Sequence, residues 1–116
     1  MKNLLLTLVI LISGLSFGQA IEPVLEAENG LVKATYHYEN GAVQQVGYFK
    51  DGKLDGKWTS YDVNGNVSAI AEYTNGEKSG KWMFYSNGST VSEVSYVDNR
   101  IVDVKKFSQN SIADKD

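Results

Sequence analysis

Residues 56–82 read GKWTSYDVNGNVSAIAEYTNGEKSGKW, from Gly56-Lys57-Trp58 to Gly80-Lys81-Trp82. The stretch opens and closes on the same tripeptide, 24 residues apart, and holds two Asn-Gly dipeptides, Asn64-Gly65 and Asn75-Gly76. Asn-Gly favours the type I′ hairpin turn, whose two central residues both need a positive φ. The segments between these dipeptides are rich in β-branched and aromatic residues, the composition of strands. The unit is therefore two strands and two turns, repeated.

The same punctuation continues outward. Asn29-Gly30, Asn40-Gly41 and Asp51-Gly52 lie upstream, and Asn87-Gly88 lies downstream. Lys33-Ala34, Lys57-Trp58 and Lys81-Trp82 start three copies, each continuing through Val43, Val67 or Val91 and then Phe49, Tyr73 or Tyr96. Asp98-Asn99 takes the place of the last turn. Even spacing of this kind predicts an all-β fold. We expect an antiparallel meander sheet of about seven strands built from double-hairpin repeats of about 24 residues, with strands near 31–38, 43–50, 54–62, 67–74, 78–85, 90–97 and 100–107. Gly41, Gly52, Gly65, Gly76 and Gly88 are the structural turn positions. Trp58, Tyr73, Trp82 and Tyr96 are the structural aromatics.

If every turn is a two-residue loop, the register follows. Pairing about Asp51-Gly52 sets Gly47 opposite Gly56 and Phe49 opposite Leu54. Pairing about Asn75-Gly76 sets Ala71 opposite Gly80 and Ala69 opposite Trp82, and pairing about Asn64-Gly65 sets Trp58 opposite Ala71. A one-residue slip would turn every side chain to the other face. In this register one face carries Tyr36, Phe49, Trp58, Tyr73 and Trp82. The other interleaves Tyr and Lys, with His37, Tyr48, Lys57, Tyr61, Lys81, Tyr85 and Tyr96. A sheet must cover at least one face, and Ile21-Glu22-Pro23-Val24-Leu25 is the expected cover.

Met1-Lys2-Asn3, the apolar run Leu4–Ile12 and the small residues Ser16 and Gly18 have the layout of a secretory signal peptide. Residues 1–18 are expected to be removed, with cleavage after Ala20 the alternative. This predicts a secreted, periplasmic or cell-envelope protein. The remainder divides into an N-terminal segment (19–30), the β-repeat domain (31–107) and a polar, disordered tail (108–116). Loss of Lys2 with the leader takes the net charge from −3 to about −4. An acidic surface disfavours nucleic acid and anionic membranes. The absence of cysteine removes disulfides and thiolate metal sites from the account of stability.

The unit Gly-Lys-Trp-x-x-x-Tyr-x-x-Asn-Gly, followed by an aromatic and Asn-Gly-x-x-x-Gly-Lys-Trp, resembles MORN repeats. It is most similar to the bacterial MORN-like variant of antitoxin-type and envelope repeat proteins. The matching residues are Gly56-Lys57-Trp58, Tyr61, Asn64-Gly65, Tyr73, Asn75-Gly76 and Gly80-Lys81-Trp82, and the resemblance spans about 33–99. It implies a twisted meander sheet and a scaffold or protein-contact role. An antitoxin or immunity-type protein that binds a dedicated toxin is the alternative it carries.

Catalytic constellations do not assemble on this pattern. His37, the single histidine, fills the column of Tyr61 and Tyr85 and reads as a sheet-face aromatic substitute. One histidine without cysteine offers no zinc or nucleophile set. Asp62-Val63-Asn64-Gly65-Asn66 imitates the start of a calcium loop, but Val67 and Tyr73 stand where such a loop needs glycine and a bidentate glutamate. No cofactor and no metal is expected. The expected function is non-enzymatic recognition of another protein, through Lys57, Tyr61, Lys81 and Tyr85 on the mixed face. Carbohydrate binding and oligomerisation are further options for exposed aromatic rows.

Overall fold

A computed structural model describes residues 21–107. The leader, its cleavage site and the 108–116 tail of the sequence reading lie outside the described residues. Nine strands form one antiparallel sheet: β1 (Val24–Glu28), β2 (Leu31–His37), β3 (Val43–Lys50), β4 (Lys53–Tyr61), β5 (Val67–Thr74), β6 (Glu77–Lys78), β7 (Gly80–Ser86), β8 (Ser89–Val97) and β9 (Arg100–Lys106). Neighbours in sequence are neighbours in space, and the short β6 pairs with β5 just ahead of β7. This is the all-β hairpin meander that the turn spacing predicts.

The count exceeds seven for two physical reasons. Glu77–Lys78 is cut off from β7 by a bulge at Ser79-Gly80. Val24 and Leu25, the end of the Ile21–Leu25 segment expected as a cover over the apolar face, instead belong to β1, which pairs edge-on with β2, Leu25 opposite Ala34 and Glu28 opposite Leu31. The Asn29-Gly30 turn dictates that outcome: both residues have positive φ, which folds the chain back as a hairpin in the plane of the sheet.

The turns fall into two classes. Asn29-Gly30, Asp51-Gly52, Asn75-Gly76, Asn87-Gly88 and Asp98-Asn99 have positive φ at both residues and are two-residue loops. At Asn40-Gly41 and Asn64-Gly65 only the glycine does. There Gly41 donates to the Tyr38 carbonyl and Gly65 to the Asp62 carbonyl, giving a type I turn followed by a left-handed glycine. The local cause is visible in the second loop. One Asp62 carboxylate oxygen accepts the amides of Asn64 and Asn66, both at 2.9 Å, and so pulls in one more residue than a two-residue turn holds. The third copy lacks that residue. Asn87-Gly88 follows Asn64-Gly65 by 23 positions rather than 24, and its loop is correspondingly shorter.

The register agrees with the sequence reading next to the turns and departs from it further away. Phe49 faces Leu54 and Trp58 faces Ala71, as expected. Gly47 does not face Gly56, because pairing runs Tyr48 with Asp55 and then Val46 with Thr59. Likewise Ala69 faces Phe84, not Trp82, and Ala71 is not opposite Gly80. In both places two extra residues bulge from the later strand. Gly56 and Gly80 sit in these bulges with φ of +79° and +66°, a backbone state that costs side-chain-bearing residues energy.

Burial is concentrated in the first half of the sheet. Ala34, Tyr36, Phe49 and Trp58 form the closed core, with Val32, Leu54, Ala71 and Tyr73 packed around them. Trp58 and Phe49 are each only 1% exposed. Both end strands, β1 and β9, are exposed along their whole length.

Candidate functional site

The bulges create the front of the sheet. Each lets a tryptophan two residues later swing back over the preceding strand. Trp58 donates its indole N–H to the Tyr48 carbonyl, and Trp82 donates to the Glu72 carbonyl, both at 3.1 Å. Donors and acceptors are each 24 residues apart, so the geometry repeats with the sequence. Trp58 lies over Gly47, where an added Cβ would fall inside the indole ring. Phe49 meets Trp58 edge-on at 5.2 Å, Tyr73 meets Trp82 edge-on at 5.3 Å, and Tyr96 tilts against Trp82 at 5.0 Å. Such aromatic pairs each contribute roughly 0.5–1.5 kcal/mol beyond their buried area. Phe49, Trp58, Tyr73, Trp82 and Tyr96 thus form one ribbon across the strands.

Tyr96 is therefore a front residue, not a member of the mixed face to which its sequence position assigned it. A one-residue bulge at Val91, between the Phe84–Ser92 and Tyr85–Thr90 pairs, shifts β8 against β7 and sets Tyr96 opposite Gly80, beside the Trp82 ring. Lys78 completes this end: its ammonium stands 5.3 Å from the ring centroids of both Trp82 and Tyr96, within cation–π range. Burial pushes the Tyr36 phenol upward in pKa, and Tyr73 likewise, with the Tyr96 phenol adding in the same direction. Tyr36 carries a buried hydroxyl with no hydrogen-bond partner among the described residues.

The reverse face follows from alternation along the strands. A cross-strand row runs Val24, Thr35, Val46, Thr59, Ile70, Met83, Glu93 and Lys105. Lys57 and Tyr61 flank Thr59 on this face, and Lys81 and Tyr85 flank Met83. All four sequence-predicted binding residues therefore share it. Lys57 is exposed and faces Glu72, while Tyr61 and Tyr85 are half-buried near the ends of their strands. Lys81 forms a 3.2 Å ion pair with Glu93. At the other edge Tyr48 donates its hydroxyl to Glu28, and that bond raises its pKa. His37 occupies the equivalent position in β2, in the column of Tyr61 and Tyr85.

Sequence reasoning missed three features. The first is the bulge glycines, read as small residues beside the indoles; the repeated Gly-Lys-Trp was their signal. The second is Lys78, whose partners were assigned to two different faces. The third is the docking of each turn tip on the start of the Trp-bearing strand of its own unit. Gly76 donates to the Leu54 carbonyl and Asn75 to the Asp55 carboxylate. One repeat later Asn99 donates to the Lys78 carbonyl, while its own side-chain oxygen accepts the Lys78 amide. Among the described residues there is no cluster of His, Asp or Glu arranged to hold a metal, and no helix long and apolar enough to cross a membrane.

Comparison with curated proteins and with solved structures gives no match. The family model described as a MORN repeat variant matches residues 54–75, which is β4 from its second residue, the Asp62 loop, β5 and the first residue of the next turn tip. That family is generally one of non-catalytic contact modules. The matched hairpin and its geometric copy one repeat later support the description of this chain as a MORN-like repeat protein.

Proposed function

We propose that the chain is a non-enzymatic recognition module that acts outside the cytoplasm and binds another protein through the reverse face of its sheet. The observation that carries this reading is the common placement of Lys57, Tyr61, Lys81 and Tyr85 on one face that no second layer covers among the described residues. The front face is committed around Trp58 to holding the sheet together. The reverse face has no such duty. It presents tyrosines, which supply contact area at low entropy cost, between charges of alternating sign. The leader-like residues 1–18 support the extracellular address.

The test is quantitative capture from the native culture, followed by titration of the captured protein. Tyr61→Ala combined with Tyr85→Ala should weaken binding by roughly 100-fold, at about 1–2 kcal/mol per truncated tyrosine. The β circular-dichroism signal should remain. Trp82→Ala, on the front, should leave affinity unchanged. Equal loss from the front variant, or no loss from the tyrosine pair, would reject the reverse face as the contact surface.

A further inference from the structure

We propose that this chain assembles head to tail, with β9 of one copy pairing antiparallel with β1 of the next. The repeat phase is the first ground. Each unit consists of a strand that carries the Trp-equivalent position and a strand that carries its small partner: Ala34 faces Gly47, Trp58 faces Ala71, and Trp82 faces Val94. The described chain begins on a partner strand, with Leu25 in the small column, and ends on a Trp-type strand, with Val104 in the Trp column. The next step of the same pattern sets Val104 against Leu25 of a second copy.

The polarity and the backbone permit that step. β1 and β9 run in opposite directions, because every neighbouring pair between them is antiparallel, so stacking by simple continuation keeps the meander antiparallel. Phe107 donates to the Val91 carbonyl. Antiparallel ladders alternate bonded and free positions, so the Val104 and Lys106 amides point away from β8. On β1 the tight turn after Glu28 makes Glu28–Leu31 a bonded pair and leaves Leu25 and Ala27 pointing outward. Among the described residues, the two outer edges present their unpaired groups at the positions that the repeat phase aligns.

Charge and apolar surface select this pairing over the alternatives. β9 carries Arg100, Lys105 and Lys106 against Asp103, whereas β1 carries Glu26 and Glu28 and no base. The edges are complementary as wholes, basic against acidic; in the register set by Val104 and Leu25, Lys105 lies diagonal to Glu26, while Asp103 lies directly opposite it. Ile101 and Val102, at 57% and 60% exposed, crowd one end of the sheet, and Val24 and Leu25 are exposed at the other. A further contact follows from the tip docking already described. The Asn29-Gly30 tip of the incoming copy lands beside Ile101 as Asn75-Gly76 lands on Leu54 and Asn99 on Lys78. The contact leaves the reverse face of each copy open, so this inference stands apart from the binding role proposed for that face.

A heterologous contact of this type extends into chains unless its rotation closes a ring. One strand pair is a small interface, so the assembly should depend on concentration and weaken with salt. The test is sedimentation velocity on the purified protein at low salt, with edge variants. The wild type should show mass rising with concentration to two chains and beyond. Val104→Pro and Leu25→Pro each remove an outward amide that bonds neither β8 nor β2, so each should stay a single chain while the β circular-dichroism signal remains. Asp103→Lys, which sets a base opposite Glu26, should strengthen the assembly. A wild type that remains one chain at every concentration overturns the proposal. So does a closed two-fold dimer, a folded proline variant that still associates, or an Asp103→Lys protein that associates no more strongly than the parent.

Discussion

Gly47→Ala isolates the step on which the core depends. Gly47 has ordinary strand φ, so a methyl group brings no backbone strain, and the whole effect is spatial. The added Cβ would occupy the Trp58 ring, and two responses are open. The indole can leave, giving up its burial and its hydrogen bond to the Tyr48 carbonyl. Removing a buried Trp side chain costs about 3–5 kcal/mol. Alternatively β3 and β4 can move apart, an overpacking response of about 1–3 kcal/mol. The cheaper response sets the outcome. Loss of glycine's freedom in the unfolded chain returns about 0.4–1 kcal/mol. The expected net loss is roughly 1.3 kcal/mol, or a Tm fall of about 5–10 °C for a domain of this size. Urea and thermal unfolding, followed by tryptophan fluorescence and far-ultraviolet circular dichroism, measure it. Ala71→Gly removes a methyl from the corresponding place one repeat on and should cost less than about 1 kcal/mol. A Gly47→Ala protein with the parent's melting temperature and an unshifted Trp58 emission would refute the placement of the indole over Gly47.

Trp58→Ala should cost about 3–5 kcal/mol, and Trp82→Ala, whose ring is only half-buried, clearly less, as read by chemical denaturation of the two variants side by side. Tyr36→Phe should raise stability by about 1 kcal/mol, because it deletes a buried hydroxyl without a partner among the described residues while keeping the ring beside Trp58. The folded-state pKa values of Tyr36 and Tyr73 lie above the ordinary tyrosine value of 10.0, so the folded state holds these protons more tightly than the unfolded chain. Their contribution is fully present below that value and is lost as pH rises through the higher folded values. Alkaline unfolding curves should therefore be shallower for Tyr36→Phe than for the parent.

What the sequence made legible was whatever the turns control directly. Asp51-Gly52 fixed Phe49 against Leu54 because pairs close to a turn inherit its geometry, and Trp58 meets Ala71 because the longer Asp62 loop shifts the register by one residue and the bulge at Ser68 shifts it back. Pairs beyond the two-residue bulges did not follow, since nothing in a count of residues announces that Gly56-Lys57 and Ser79-Gly80 leave the ladder. A shift of two residues preserves facing, so Trp58 and Trp82 stayed on the expected face while their neighbours changed. Tyr96 moved because the third copy has a two-residue loop, so the one-residue bulge at Val91 is not offset and turns the rest of β8 to the other face. The four binding positions kept a common face for the opposite reason. The bulges between Ser60 and Tyr61 and between Phe84 and Tyr85 put their extra residue on the partner strands, so alternation from Lys57 to Tyr61 and from Lys81 to Tyr85 runs unbroken.

The two halves of the ribbon show what completes a repeat. Trp58 is flanked by strands on both sides that carry large side chains, and it is buried. Trp82 has the same bulge, the same indole hydrogen bond and an aromatic on each side, yet it stays half-exposed. The difference lies further along the sheet. Beyond Phe49 stands β2 with Tyr36, a large ring that closes over Trp58 from two strands away. Beyond Tyr96 stands only β9, whose Ile101 and Val104 are too small and too exposed to do the same. Repeat arrays lose stability at their ends because a terminal unit has a neighbour on one side only. β9 should accordingly be the first strand to open, with amide exchange fastest there and slowest around Trp58. A second copy docked on β9 would place Leu25 beside Val104 and give the Trp82 unit the flanking strand that the Trp58 unit already has. The same exchange experiment, repeated at rising concentration, should then slow β9 and β1 together and leave the Trp58 region unchanged.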